Sequence, residues 1–344
     1  MPDQGTQWLA IDVGGANLKA AHSAGQAHSS SFALWRDPQG LTAQLLALTK
    51  HFKPFDGLAL TTTAELCDCF ETKAEGVFSV LNAVEAICEG KPVLVWGIDG
   101  RFHDPDSIRS HPLVAAAANW LALATIAAKK IGRECGLLID IGSTTTDIIP
   151  LRNGEVAALG RTDLERLQTR ELVYAGVRRT PVCALATNLP YRSRDTGLAA
   201  ELFATTLDVF LTLGQIAENV FDRDTADGKP ATIAAARDRL ARMVGADREE
   251  FDSRDANEFA RAAREALVGR LAMAARLVMQ SLPVKPTVAV ISGSGEFLAR
   301  DIADRVLPDI GRVISLSDLW NSAASDAACA KALLELLATE AKAS

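Results

Sequence analysis

Two short stretches of this chain share one frame, and that repeat constrains the fold more than any other feature. "WLAIDVGGANLKAA" (Trp8 to Ala21) and "LLIDIGSTTTDIIPL" (Leu137 to Leu151) each run apolar strand, Asp, hydrophobic residue, Gly, short polar segment, second strand. Their aspartates, Asp12 and Asp140, lie 128 residues apart. A hairpin repeated at that distance predicts two related lobes facing one site. At 344 residues the chain is also long for a single core, which again favours two domains.

The apolar pattern fills in the lobes. The first opens with a meander, Trp8–Val13, Leu18–Ser23 and Ser30–Leu34. A helix over Leu41–His51, a strand over Asp56–Leu60, a helix over Lys73–Cys88 and a strand over Pro92–Trp96 follow. An alanine-rich helix between His111 and Lys130 joins the lobes. The second lobe restarts with strands Gly136–Asp140, Thr145–Leu151 and Glu155–Leu159. Helical spacing then covers Leu198–Asn219, Ile233–Val244 and Ala256–Ser281, with a polar loop over Asp222–Thr232. Strands Thr287–Ser292 and Arg312–Leu316 precede a final helix, Ser322–Ala341. The fold class is α/β: two lobes of meander plus αβ units with a cleft between them. Residues 1–115 make the first lobe and 116–321 the second, with a helical insertion at about 198–281. The last helix, 322–344, packs back onto the first lobe.

Composition narrows the partners. The net charge is −7 with both signs dispersed, which argues against a nucleic-acid backbone as the main partner. The six cysteines are scattered, so free thiols in a reducing cytoplasm are expected. No signal peptide opens the chain. The uncharged stretch Pro112–Ala128 is barely span length and alanine-rich, and it reads as a buried helix rather than a membrane span. The oligomeric state stays open, a dimer included.

Three glycine turns carry the candidate chemistry. In the first, Gly14, Gly15 and Asn17 let backbone N–H groups approach an anion, and Lys19 adds a charge for phosphate. A tight hairpin with a solvated lysine would look the same. In the second, Gly142 precedes the hydroxyls of Ser143, Thr144, Thr145 and Thr146, a dense donor set for phosphate oxygens. Asp140 at the strand end, with Asp12 as its counterpart, suits Mg²⁺. The third turn, Gly293, Ser294 and Gly295, joins a strand to a helix N-terminus, where an anion or nucleotide could sit or where glycine merely permits close packing. In "TAELCDCF", Glu65 and Asp68 are three apart, and one helical turn would place them on one face, as reacting acids or as first-turn acids of a helix. The Cys67–Cys69 pair lacks the partners of a zinc site. The adjacent Arg178 and Arg179 suit a phosphate or carboxylate.

These turns, in this order, resemble the sugar-kinase/heat-shock-protein/actin superfamily, and "DIGSTTTD" is similar to its hydantoinase/oxoprolinase branch. "TAELCDCF", "WGIDGRF", "AAANWLA", "DIGSTTTDIIPL" and "ELVYAGVRRTPV" resemble one family within it, tied to tetrahydromethanopterin-linked one-carbon metabolism and including methanofuran synthases. The resemblance implies two actin-like, ribonuclease H-like lobes. It implies an enzyme that joins an aminomethylfuran diphosphate to the phenol of γ-glutamyltyramine and releases diphosphate with Mg²⁺. It further implies Glu65 or Asp68 as the base for the phenol and Arg178 or Arg179 as the holder of the glutamyl carboxylate. Ala16 stands where related kinases carry threonine, and no Asn-Asp kinase base segment is evident. Both departures point away from ATP as phosphoryl donor. The alternatives are an ATP-dependent small-molecule kinase, an oxoprolinase- or hydantoinase-like hydrolase, and a non-catalytic nucleotide-binding regulator.

Overall fold

The computed structural model describes residues 6–320 and 322–343; the outermost positions of the expected first lobe and last helix, 1–5 and 344, lie outside the described residues. The first lobe opens with β1 (Trp8–Val13), β2 (Asn17–His22) and β3 (Ala27–Ser31). β3 comes three residues earlier than the pattern suggested. The hairpin closes tightly at Gly25, whose φ is +90°, so the strand begins at once. Phe32 and Leu34, expected in that strand, instead donate their N–H groups to the carbonyls of Ala16 and Gly15. Then follow α1 (Leu41–Thr49), β4 (Gly57–Thr62), α2 (Lys73–Ile87), β5 (Val93–Trp96), β6 (Phe102–His103) and α3 (Pro105–Ser110). The sheet order is β3-β2-β1-β4-β5-β6, with β4 parallel to β1.

The alanine-rich connection is not one helix from His111. Pro112–Val114 makes a single 3₁₀ turn, Ala116 bridges to Thr62, and Ala117 takes a positive φ of 49°. Helix α4 (Asn119–Ile131) starts only after this crossing. Proline at the start and a β bridge both break the helical hydrogen-bond ladder that alanine content alone would favour.

The second lobe contains β7 (Cys135–Ile141), β8 (Thr146–Arg152), the two-residue β9 (Glu155–Val156), α5 (Asp163–Thr169) and β10 (Leu172–Val173). A hairpin of β11 (Asn188–Tyr191) and β12 (Arg194–Gly197) follows, turning at Arg192 and Ser193, both at positive φ. Of the helical spacing expected over Leu198–Asn219, only α6 (Thr206–Thr212) is helix. α7 (Ile233–Arg242) and the long α8 (Ser253–Met279), capped by Asp252, complete the helical insertion. The chain returns through β13 (Val288–Ser292), α9 (Glu296–Val306) and β14 (Arg312–Ser315) to α10 (Leu316–Trp320), α11 (Ser322–Asp326) and α12 (Ala328–Ala343). The expected single last helix is therefore two. The second sheet runs β10-β8-β7-β13-β14, with β9 also on β8.

Each sheet puts its opening strand in the middle, β1 or β7, with the antiparallel meander on one side and parallel strands on the other; in the second sheet β9 and β10 share the place beside β8 that β3 takes beside β2. This is the ribonuclease H-like order, twice, and it defines two actin-like lobes. Strand alternation assigns the faces. Leu9, Ile11 and Val13 pack on α1 and α2, while Leu137, Ile139 and Ile141 pack on α8 and α9. The opposite faces, through Trp8, Ala10, Leu138, Ile149 and Val290, bury α4 and α12 between the sheets. Each large apolar side chain in that layer contributes about 1.5–3 kcal/mol relative to exposure.

Candidate active site

The two hairpins are alike in register. Asp12 pairs with Lys19 across β1 and β2, and Asp140 pairs with Asp147 across β7 and β8. The Gly14 N–H donates to the Asn17 carbonyl at 3.0 Å, and the Gly142 N–H donates to the Thr145 carbonyl at 2.9 Å. Each turn is gripped from outside at its second residue. The Leu34 N–H donates to the Gly15 carbonyl at 2.9 Å, and the N–H groups of Arg178 and Arg179 donate to the Ser143 carbonyl at 3.0 Å. The N–H groups of Gly15, Ala16, Ser143 and Thr144 find no acceptor among the described residues. Free N–H groups on two turns that line one cavity are a donor set suited to an anion. The Thr146 hydroxyl is spent inward on the Ala175 carbonyl at 2.6 Å, so three of the four hydroxyls in "STTT" stay with the turn.

Between the hairpins lies a cavity of about 310 Å³. Both turns, Asp12, Lys19, Asp140 and Asp147 line it, as do Thr63, Cys67, Asp68 and Arg179. Asp12 and Asp140 each keep one buried carboxyl oxygen with no hydrogen-bond partner, and the buried Thr61 hydroxyl beside Asp12 on β4 is also unpartnered. Burial pushes Asp12 up to about 6, opposed by the charge of Lys19 and by the side chain of Asn119. Burial, then the charge of Asp147, pushes Asp140 up to about 7, opposed by Lys19 and Ser292. Two desolvated carboxyls with orphaned oxygens are a site that gains from a cation. No three His, Cys, Asp or Glu side chains among the described residues group as a metal cage. The arrangement fits Mg²⁺, which favours a few carboxylates completed by substrate phosphates.

Several expected residues stand elsewhere. Glu65 and Asp68 share no helix face, because residues 63–72 form successive turns and α2 begins only at Lys73 under its Thr72 cap. Asp68 is exposed on the cavity wall. Glu65 is 2% exposed and off the lining, and burial holds its carboxyl up at about 7. The 293–295 turn does not line the cavity. A Cβ on Gly293 would stand 2.3 Å from the Ile141 carbonyl oxygen, and one on Gly295 would stand 2.6 Å from the Ile141 side chain. These glycines serve close packing against β7. Arg178 is drawn off by an ion pair with Asp222 at 2.8 Å, which leaves Arg179 facing the cavity.

Other residues join the site from afar. Asn119 and Cys329, at the starts of α4 and α12, line the floor. Both helix N-termini therefore point positive dipole ends toward it. Arg166 is 2% exposed, pairs with Asp147 and Asp163, and lies 4.1 Å from the centre of the Trp120 ring. Trp35 meets the Arg179 guanidinium at 4.2 Å across the cleft. Gly176 lies so close to the second turn that a Cβ there would stand 2.5 Å from the Gly142 oxygen. Only the glycine in "YAGVRRT" hinted at this contact. Nothing local in the sequence marks Trp35, Arg166 or Cys329, and Asn119 is marked only by its place in "AAANWLA".

The family model of the hydantoinase/oxoprolinase proteins matches residues 56–334. The chain is also 35% identical to a (4-{4-[2-(γ-L-glutamylamino)ethyl]phenoxymethyl}furan-2-yl)methanamine synthase of Methanocaldococcus jannaschii, over 96% of this chain and 97% of that one. The chain belongs to the hydantoinase/oxoprolinase family. Within that family, a synthase of the same name from Methanococcus vannielii is 34% identical over 52% of this chain and 78% of its own. Nucleotide-free acetone carboxylase shares the fold at a TM-score of 0.51 and 10% identity, covering 90% of this chain and 68% of that one. No helix among the described residues is long and apolar enough to cross a membrane, the former candidate Pro112–Ala128 included.

Proposed function

We propose that this member of the family makes the aryl ether of a methanofuran precursor. It condenses an aminomethylfuran diphosphate with the phenol of γ-glutamyltyramine and releases diphosphate. The observation that carries this reading is the pair of like turns whose free N–H groups and hydroxyls face each other across one cavity, in a chain akin to the M. jannaschii synthase over nearly its full length.

The furan ring stabilises positive charge on its methylene carbon, so departure of diphosphate is the step to assist. Charge grows on the leaving oxygens. The N–H groups of both turns, the Ser143, Thr144 and Thr145 hydroxyls, and Lys19 are set to receive it without reorganising. A Mg²⁺ ion held by Asp12 and Asp140 would neutralise part of that charge. Asp68, on the wall, takes the phenol proton as the oxygen attacks. Arg179 holds the glutamyl carboxylate. Ala16, where related kinases carry threonine, favours a substrate that gives up no γ-phosphoryl group, so ATP has no role in this reading.

The test is purified protein with synthetic furan diphosphate, γ-glutamyltyramine and Mg²⁺. Stoichiometric diphosphate and ether are expected. ATP turnover with no diphosphate released from the furan would overturn the reading.

A further inference from the structure

We propose that the indole face of Trp35 receives the furan-bearing methylene as diphosphate departs, making Trp35 a catalytic residue for bond breaking. The inference rests on the function proposed above and adds a residue to it. Three observations carry it.

First, Trp35 lines the cavity beside the first turn, because its neighbour Leu34 grips the Gly15 carbonyl. A group on its face is therefore next to the leaving group. Second, a cation already rests there. The Arg179 guanidinium carbon lies 4.2 Å from the ring centre, and that of Arg36 lies 6.0 Å away. The quadrupole of an indole face attracts positive charge, whichever molecule supplies it. Third, Arg179 follows Arg178 in gripping the Ser143 carbonyl of the second turn, so the stacked pair joins the segment that holds the first turn to the segment that holds the second. Tyr174 also lines the cavity, but no cation among the described residues stacks on it.

In the free protein Arg179 occupies the face. With both substrates bound its guanidinium turns to the acceptor's carboxylate and vacates the indole. The C–O bond to diphosphate then breaks with both electrons staying on the diphosphate oxygen. Positive charge spreads over the furan and its methylene, opposite the Trp35 ring. The phenol oxygen supplies the electron pair of the new C–O bond, and its proton passes to a carboxylate.

The experiment compares the unmodified protein, Trp35→Phe and Trp35→Leu in steady-state turnover of the furan diphosphate with γ-glutamyltyramine and Mg²⁺. Calorimetry with inorganic diphosphate checks the turns. Trp35→Leu is expected to lower kcat by about tenfold or more while KM for the furan diphosphate moves by less than about threefold. Trp35→Phe, which keeps a π face, is expected to stay within about threefold of the unmodified kcat. Both variants should bind inorganic diphosphate normally. Equal losses in the two variants, a rise in KM alone, or lost diphosphate binding would each overturn the assignment. If the unmodified protein releases no diphosphate from the furan, the proposed function falls and this inference with it. A working unmodified protein with an indifferent Trp35→Leu overturns this inference alone.

Discussion

Burial holds the Glu65 carboxyl up at about 7, because 2% of the residue meets solvent and its Oε2 has no partner. Unfolding returns the group to its ordinary value near 4.5, so the folded state binds more protons between those values. Its contribution to stability is thus full below pH 4.5 and is lost as pH rises through 7. For the ligand-free protein, urea midpoints should fall from pH 5 to pH 8. Glu65→Gln should remove up to about 3 kcal/mol of that change, and an unchanged slope in the variant would refute the role. The arginine pair gives a second prediction. Arg179→Ala should raise KM for γ-glutamyltyramine by about tenfold or more. Arg178→Ala, with its partner Asp222 outside the cavity, should move it by less than about threefold. Sequence alone left the two arginines equivalent, because nothing local announces an ion pair 44 residues away. The hairpin residues Asp12, Lys19, Asp140 and Ser143 were legible because strand pairing is local and repeats. Arg166 and Trp35 were not, since the partners that bring them to the site, Asp147 and Arg179, lie far along the chain.

At the scale of elements, each turn depends on a segment that holds it from behind. Gly176 allows the second of these contacts. A Cβ there would fall 2.5 Å from the Gly142 oxygen and 2.6 Å from the Thr144 nitrogen, both backbone atoms that cannot swing aside. Gly176→Ala should therefore weaken binding of inorganic diphosphate by about tenfold or more, at a cost of about 1–3 kcal/mol in stability. Calorimetry and urea melts read the two effects separately, and unaltered diphosphate affinity would count against the second turn as an anion site. Strands and the bodies of helices such as α2 and α8 were legible from period, but α8 begins three residues before the expected Ala256, under the cap of Asp252. The connection into α4 was misjudged because alanine content says helix, whereas Pro112 and the Ala116–Thr62 bridge say otherwise. Over 198–219 the apolar spacing reflects packing of an irregular segment, and α6 keeps only seven helical residues.

For the whole molecule, α4 and α12 form the layer both sheets share, so the chain's last described helix stabilises its first strands. Leu333 is fully buried in that layer. Leu333→Ala should cost about 2–5 kcal/mol, and both lobes should lose stability in one transition. A variant whose second lobe melts at the unmodified midpoint would show the lobes to be uncoupled there. The duplication also has a consequence for orientation. The frames match position for position, yet one position changes sign: Lys19 in the first hairpin stands where the second has Asp147, itself tethered to Arg166. A cleft built from two copies of one motif would otherwise accept a ligand either way round. One wall therefore carries an ammonium at this position and the other a carboxylate braced by an arginine, which makes the seat unequal end to end. An elongated ligand with one anionic end would meet an ammonium at this position in one orientation and a carboxylate in the other, so the two ways of seating it would differ in energy.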